Sequence, residues 1–327
     1  MTQLIEGAKK EAKVSTTLTD NLTEQGVQRL RKEIKEKFGV DLEIQFEPVG
    51  SYSARLPQAI AQYKAEVTPT FDLMQSNDLL IRRYIDAAVI EKPDWGPLLA
   101  EGTPREVIMW DGYALSTQTS HIGMIFDPKV VPPADAPKSL SDLANPRWRG
   151  KFIGLSAPSS YVSYAFVRGV DRTLSDLRAM IKNEPVIETY ARALTRYSAG
   201  EYPIAMISSN YHENARQQGV SVEWRSLDMS YLSVIGVMVL KRAAHPNAAK
   251  LVAAYLASPA GHKLILEEAK NGSALHPGNP EFEKHQQDVK AGLPLFNPTQ
   301  WPGAADFLLS EKGQQLEKEI AEILKGG

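Results

Sequence analysis

The chain of 327 residues is longer than a single hydrophobic core usually organises, which points to two domains. Its hydrophobic fraction of 43% and charged fraction of 23% are those of a folded globular protein, and a net charge of −2 lacks the basic excess that sequence-independent nucleic-acid binding requires. The absence of cysteine excludes disulfides, thiolate catalysis and cysteine-ligated metal, and no apolar run approaches the roughly 18 residues of a membrane span.

Met1 is followed at once by a helical segment, Leu4–Lys13, without the basic stretch, apolar run and cleavage site of a signal peptide. The start reads either as that of a cytosolic protein or as a mature chain whose signal, with any lipid-anchor cysteine, has been removed. Lys13–Thr17 predicts a short strand. Val27, Leu30, Ile34 and Phe38 share one face of a helix over Leu22–Phe38, with Thr19 or Asp20 as its cap and Gly39 ending it. Leu42–Phe46 alternates as a strand, Ser53–Ala65 has helical spacing, Phe71–Met74 is a short strand and Asp78–Ala87 a helix. This β-α-β-α-β rhythm predicts a mainly parallel sheet covered by helices, with ligands beyond the carboxyl ends of its strands.

Trp110–Ser120 is dense in hydroxyls, and the strand Ile122–Phe126 follows it. The proline-rich Asp127–Pro137 reads as a surface loop, Ser139–Leu143 as a short helix and Phe152–Leu155 as a buried strand. A helix opens at Ser160 with Ser159 and Ser160 as caps, and a long helical stretch runs from Leu174 to Ser198. Ile204–Ser208, Ser221–Arg225 and the β-branched Val234–Leu240 are strands. Pro246–Ala257 and Gly261–Ala269 are helices, and Ala304–Leu324 forms a helical tail. There is no phosphate-binding loop, dinucleotide glycine fingerprint, paired-His zinc helix or G-x-S-x-G elbow. Enzymatic activity would need a site dispersed over distant residues of an α/β fold.

Several blocks, weak singly, gain force from their order. They are Leu4–Glu11 running into Val14–Thr17, Phe71–Ser76, Gly123–Pro128, Leu140–Leu143 with Trp148–Lys151, Ala199–Ala205, and Ala243–Leu251 followed by Ser258–Gly261. Together they resemble the type II periplasmic solute-binding proteins of ABC importers, in the iron(III)-binding-like branch of extracellular family 1. The resemblance implies two doubly wound α/β lobes joined by crossing hinge strands near Gly112–Ala114 and Ser233–Ile235, with the ligand in the cleft between them. Lobe one would be 1–115 and 237–276, and lobe two 116–236 and 277–327. It further implies a monomer without cofactor or catalysis, periplasmic or tethered outside the membrane, that closes on a small solute and delivers it to the membrane permease.

The candidate ligand residues lie after strands. Thr17, Thr19 and Asp20 follow the first, and either face the ligand or cap the next helix. Ser76 and Asn77, with Asp78, stand at a helix N-terminus suited to an anion, and Asp78 reads equally as a cap. Tyr113, Thr117 and Gln118 belong to the hydroxyl-rich crossover, whose plain alternative is a solvated loop. Ser159, Ser160 and Tyr161 offer hydroxyls and amides at a helix start. Ser208, Asn210, Tyr211 and His212 occupy the place where iron-binding relatives carry Asn-Tyr-Tyr, and His212 replaces the second phenol of that pair. The favoured ligand is a small polar solute bearing a carboxylate, phosphate or phosphonate. The alternatives are ferric ion on Tyr211 and His212, or a cation such as a polyamine on Asp20, Asp78, Asp111 or Asp228 with Trp110. Arg55 and Arg225 read as solvated surface groups or as counter-charges.

Overall fold

A computed structural model describes residues 1–326. The chain divides into two units: Met1–Thr119 with Val234–Glu283, and Ser120–Ser233 with the chain from Lys284 onward.

In the first unit, α1 (Thr2–Glu11), β1 (Lys13–Leu18), α2 (Glu24–Phe38), β2 (Glu43–Pro48), α3 (Tyr52–Lys64), β3 (Leu73–Asn77) and α4 (Asp78–Asp86) alternate as predicted. A two-residue strand, β4 (Ile108–Met109), pairs with the start of β5 (Ala114–Phe126), the strand that leads into the second unit. The parallel strands β2, β1 and β3 are registered by Thr16 opposite Phe46 and Leu73. Alternate positions Val14, Leu18 and Leu73 enter the core with Leu30 and Ile34 of α2. The second unit supplies α5 (Leu140–Leu143), β6 (Phe152–Leu155), α6 (Pro158–Arg168), α7 (Val170–Ile181), β7 (Val186–Glu188), α8 (Tyr190–Ser198), β8 (Ile204–Ser208), α9 (Ser209–Gln217) and β9 (Glu223–Arg225). Here β8, β6 and β7 are parallel neighbours, β5 pairs antiparallel with β8 on its other side, and β9 pairs antiparallel with β5. The chain returns through β10 (Ser230–Val239), which pairs antiparallel with β3, to α10 (Pro246–Leu256) and α11 (Pro259–Ala269). It ends with α12 (Pro280–Lys290), β11 (Leu295–Phe296), α13 (Ala304–Leu309) and α14 (Glu311–Leu324).

Four expectations are corrected. The helical stretch over Leu174–Ser198 is two helices with β7 between them, because Pro185 interrupts the pattern and Thr189 starts α8. The tail breaks at Ser310, whose hydroxyl caps α14 through the Gly313 N–H. Helix α2 is capped by Thr23, not by Thr19 or Asp20. Helix α6 starts at Pro158, a residue pre-organised for a first helical position, so Ser159 and Ser160 lie inside its first turn and do not cap it.

The junction of α10 and α11 leaves no room at Gly261. A Cβ there would stand 2.1 Å from the Tyr255 carbonyl oxygen and 2.6 Å from the Leu256 Cα. Both are backbone atoms, so relief requires moving a helix end. Gly261→Ala is expected to cost about 3 kcal/mol, the upper part of the usual overpacking range, and to lower the thermal midpoint by several degrees. An unchanged melting curve would show that the junction yields freely.

Candidate functional site

In the second unit the parallel strands β8, β6 and β7 each run almost directly into a helix, α9, α6 and α8 respectively. One edge of the sheet therefore carries three helix N-termini. Each supplies N–H groups without partners in its own helix and the positive end of a helix dipole. The N-cap residues Ala157, Thr189 and Ser208 make no side-chain capping bond. Thr23, Asn77, Ser139, Ser258 and Ser310 cap α2, α4, α5, α11 and α14, while α1, α3, α7, α10 and α13 also start without a side-chain cap.

The termini of α8 and α9 meet at Tyr190 and Tyr211, whose ring centroids lie 5.7 Å apart, and Ser160 in the first turn of α6 is close enough to the Tyr190 phenol to influence its ionisation. Burial pushes the Tyr190 phenol up to about 12 against the opposing influence of the Ser160 hydroxyl, and burial raises Tyr211 as well. Both are therefore neutral hydroxyls near pH 7. The edge offers an anion hydroxyls and amides. Tyr190 is absent from the residues singled out by sequence because it falls inside the stretch read as one helix; Pro185 and Thr189 are the signals that would have found it.

The other expected residues of this unit fall into two groups. Ser160 and Ser208 are buried at the edge, Asn210 and Tyr211 are half-buried in the first turn of α9, and Ser159 is exposed. Tyr161 faces the core instead: its hydroxyl accepts the Leu155 N–H at 3.1 Å and reaches the Met206 sulfur at 3.4 Å. The His212 ring packs 6.1 Å from Trp224. Asp228 lies in a buried ion pair with Arg168, 2.9 Å from Nε, and accepts the Leu140 N–H at 2.8 Å. Arg225 donates to the Ala136 and Pro133 carbonyls, so it holds the proline-rich loop. Among the described residues, no group of three or more His, Asp or Glu side chains is placed to hold a metal ion.

In the first unit Thr17 and Thr117 meet at Gln75. The Gln75 N–H donates to the Thr17 hydroxyl at 3.2 Å, and its side-chain amide donates to Thr117, also at 3.2 Å. Thr19 is buried and accepts from Asn271, whereas Asp20 is exposed and accepts the Gly50 N–H. Asn77 caps α4 through the Leu80 N–H. The Ser76 hydroxyl and the Gln118 amide oxygen are buried without a hydrogen-bond partner. Tyr113 is half-buried beneath the Lys92 ammonium, 5.4 Å from its ring centre. Arg55 pairs with Glu47 and lies over Phe71.

Over residues 29–292 the sequence matches the model of a family described as bacterial extracellular solute-binding protein. No curated protein matches it. Solved structures resemble it at low identity. Iron-bound HitA from Pseudomonas aeruginosa is 18% identical with a TM-score of 0.72, over 94% of this chain and 99% of that one. The substrate-binding protein of an ABC transporter from Agrobacterium tumefaciens is 14% identical with a TM-score of 0.74, over 98% and 96%. The spermidine/putrescine ABC transporter substrate-binding protein PotD of Streptococcus pneumoniae, in complex with calcium and HEPES, is 11% identical with a TM-score of 0.73, over 96% and 98%. At these identities the likeness is one of fold: an α/β solute-binding architecture.

Proposed function

From a chain that belongs to the bacterial extracellular solute-binding proteins, we propose a carrier that captures a small polar solute by its anionic group and delivers it to the permease of an ABC importer. It works as a monomer outside the cytoplasmic membrane and catalyses no reaction. The observation that carries the anionic reading is the carboxyl end of β6, β7 and β8, from which three helices start without a side-chain cap and where the Tyr190 and Tyr211 rings lie 5.7 Å apart. Neutral hydroxyl and amide donors at neighbouring helix N-termini suit a carboxylate, phosphate or phosphonate without a fixed counter-charge. The ferric alternative is disfavoured by chemistry: burial raises the Tyr211 phenol, opposing the phenolate that ferric ion needs, and His212 packs against Trp224.

Native mass spectrometry of the purified protein identifies any retained solute. A calorimetric panel of carboxylates, phosphate esters, phosphonates and amines of similar size then ranks the classes, with binding expected among the anions. For the best of these, Ser160→Ala removes one hydroxyl while leaving the backbone donors. A hydrogen bond to a charged group contributes roughly 1.5–3 kcal/mol, so affinity is expected to fall about tenfold to a hundredfold. Tyr190→Phe is expected to act in the same direction, and neither change should unfold the protein. Unchanged affinity in folded variants of both kinds, or binding of amines alone, would overturn the proposal.

A further inference from the structure

The amino end of β8 is built the opposite way from its carboxyl end. Helices α8 and α9 finish beside it, at Ser198 and Gln217, and Gly200 and Gly219, each with a φ of 75°, turn the chain back after them. A helix C-terminus presents carbonyl oxygens and the negative end of the helix dipole. The two turns and Asp127, which follows β5, surround a surface cavity of about 450 Å³ whose walls include Tyr197, Tyr202 and Ser221. That is within the usual size of small-ligand pockets, about 300–1,000 Å³. The Asp127 Oδ1 accepts the Ser221 hydroxyl at 2.6 Å and the Lys129 N–H at 3.0 Å, and Oδ2 takes neither bond. Among the described residues no cation pairs with Asp127, and the Ser198 carbonyl accepts no N–H. The Tyr197 hydroxyl donates to the Ser221 carbonyl at 2.8 Å. Burial, and after it the Asp127 charge, raises that phenol, so it stays neutral.

We infer that this cavity is a second binding site, a seat for a primary alkylammonium group. No residue lining it carries a positive charge. Arg196, 4.9 Å from the Tyr202 ring centre, is taken by Glu201 and Glu188. An anion would find no donors in the turns: the N–H groups of Gly200, Glu201, Gly219 and Val220 already bond the carbonyls of Tyr197, Arg196, Arg216 and Ala215. A bare metal ion would find one carboxylate, where a hard cation wants six or so oxygens. An ammonium group brings three N–H donors to a carboxylate and a helix-end carbonyl, and its alkyl stem lies against the phenol rings, whose faces attract positive charge. Strand β8 runs from Ile204 to Ser208, so at about 3.3 Å per residue the seat lies roughly 13 Å from the edge proposed for the anion. It stands whatever solute the protein carries.

The test titrates the whole chain with butylammonium and follows the amide NMR signals of Gly200, Gly219 and Ser221. These should shift and saturate with butylammonium, but not with butanol or butyrate at the same concentrations. Asp127→Asn keeps an acceptor for the Ser221 hydroxyl and the Lys129 N–H while deleting the charge, and should weaken butylammonium binding by about tenfold or more. Nα-acetyl-lysine amide, run beside it, separates the two sources of this chemistry. Tighter binding than butylammonium assigns the seat to a lysine of another protein, weaker binding to a free amine, and either supports it. No saturable shift at these amides, an equal response to butanol, or unchanged affinity in folded Asp127→Asn overturns the inference. If the variant fails to fold, butylammonium against butanol and butyrate on the unaltered protein decides.

Discussion

Replacing Arg168 with Leu is expected to destabilise the second unit by about 3–5 kcal/mol, because it leaves a buried carboxylate without its cation. The Arg168 side chain is 4% exposed and that of Asp228 is 9% exposed, with Nε and Oδ1 2.9 Å apart. Arg168 also reaches Asp176 at 2.5 Å and the Ser141 hydroxyl at 3.3 Å, so one guanidinium joins α6 to α5, α7 and the turn before β10. Asp228 is held above the ordinary carboxylate range by burial, against the opposing Leu140 N–H and Arg168 charge. Removing that charge raises it further. The loss should therefore be larger at pH 8, where the unfolded chain is ionised and the folded site resists ionisation, than at pH 5. Arg168→Leu with Asp228→Asn removes the uncompensated charge while keeping an acceptor for the Leu140 N–H, and should recover much of the stability. Urea denaturation of the two variants at both pH values checks this. Equal losses in single and double variants would mean that packing, not charge, accounts for the effect.

That pair also shows where sequence reading stops. The alternation of apolar strands with amphipathic helices was legible because Val27, Leu30 and Ile34, or Val14 and Leu18, follow periods of 3.6 and 2 within one element. Strand β7 was not legible: three residues are too few for a period to show against the helical patterns on either side. The error removed Tyr190 from view, since a residue inside a presumed helix is not sought at a strand end. Ser160, Ser208, Asn210 and Tyr211 were chosen by position after a strand, a rule that places a backbone without fixing where a side chain points. Tyr161 follows the same strand as Ser160, yet it fills the core and receives the Leu155 N–H. Asp228 pairs with a residue 60 positions earlier, which no local pattern reveals.

Acidification is expected to weaken the first unit through His262 and His276. Their rings stack with centroids 3.8 Å apart, and both residues are buried. Burial holds His262 well below the ordinary 6.5, with the charge of a protonated His276 acting in the same direction, and burial brings His276 to about 4. Above pH 6.5 both rings are neutral whether the chain is folded or not, and they cost the fold nothing. As pH falls from 6.5 towards 4, the unfolded chain takes up protons that the folded one refuses. For His276 alone the loss reaches about 3 kcal/mol, at about 1.4 kcal/mol per pH unit. His262 adds to it with the same sign. Asp78 has the opposite sign, because its folded value is raised: its contribution is complete below 3.8 and is lost as pH rises through about 7. Between pH 4 and 6.5 the carboxyl thus offsets about one of the two imidazoles, and the unaltered protein should show a slope of about one proton. Asp78→Asn should steepen that slope to about two protons, and adding His262→Leu with His276→Leu should flatten it. Urea midpoints measured from pH 4.5 to 7.5 give the slopes directly. An acid limb that persists undiminished without the two histidines would place its origin in other groups, and an unchanged slope in Asp78→Asn would show that this carboxyl titrates as it does in water.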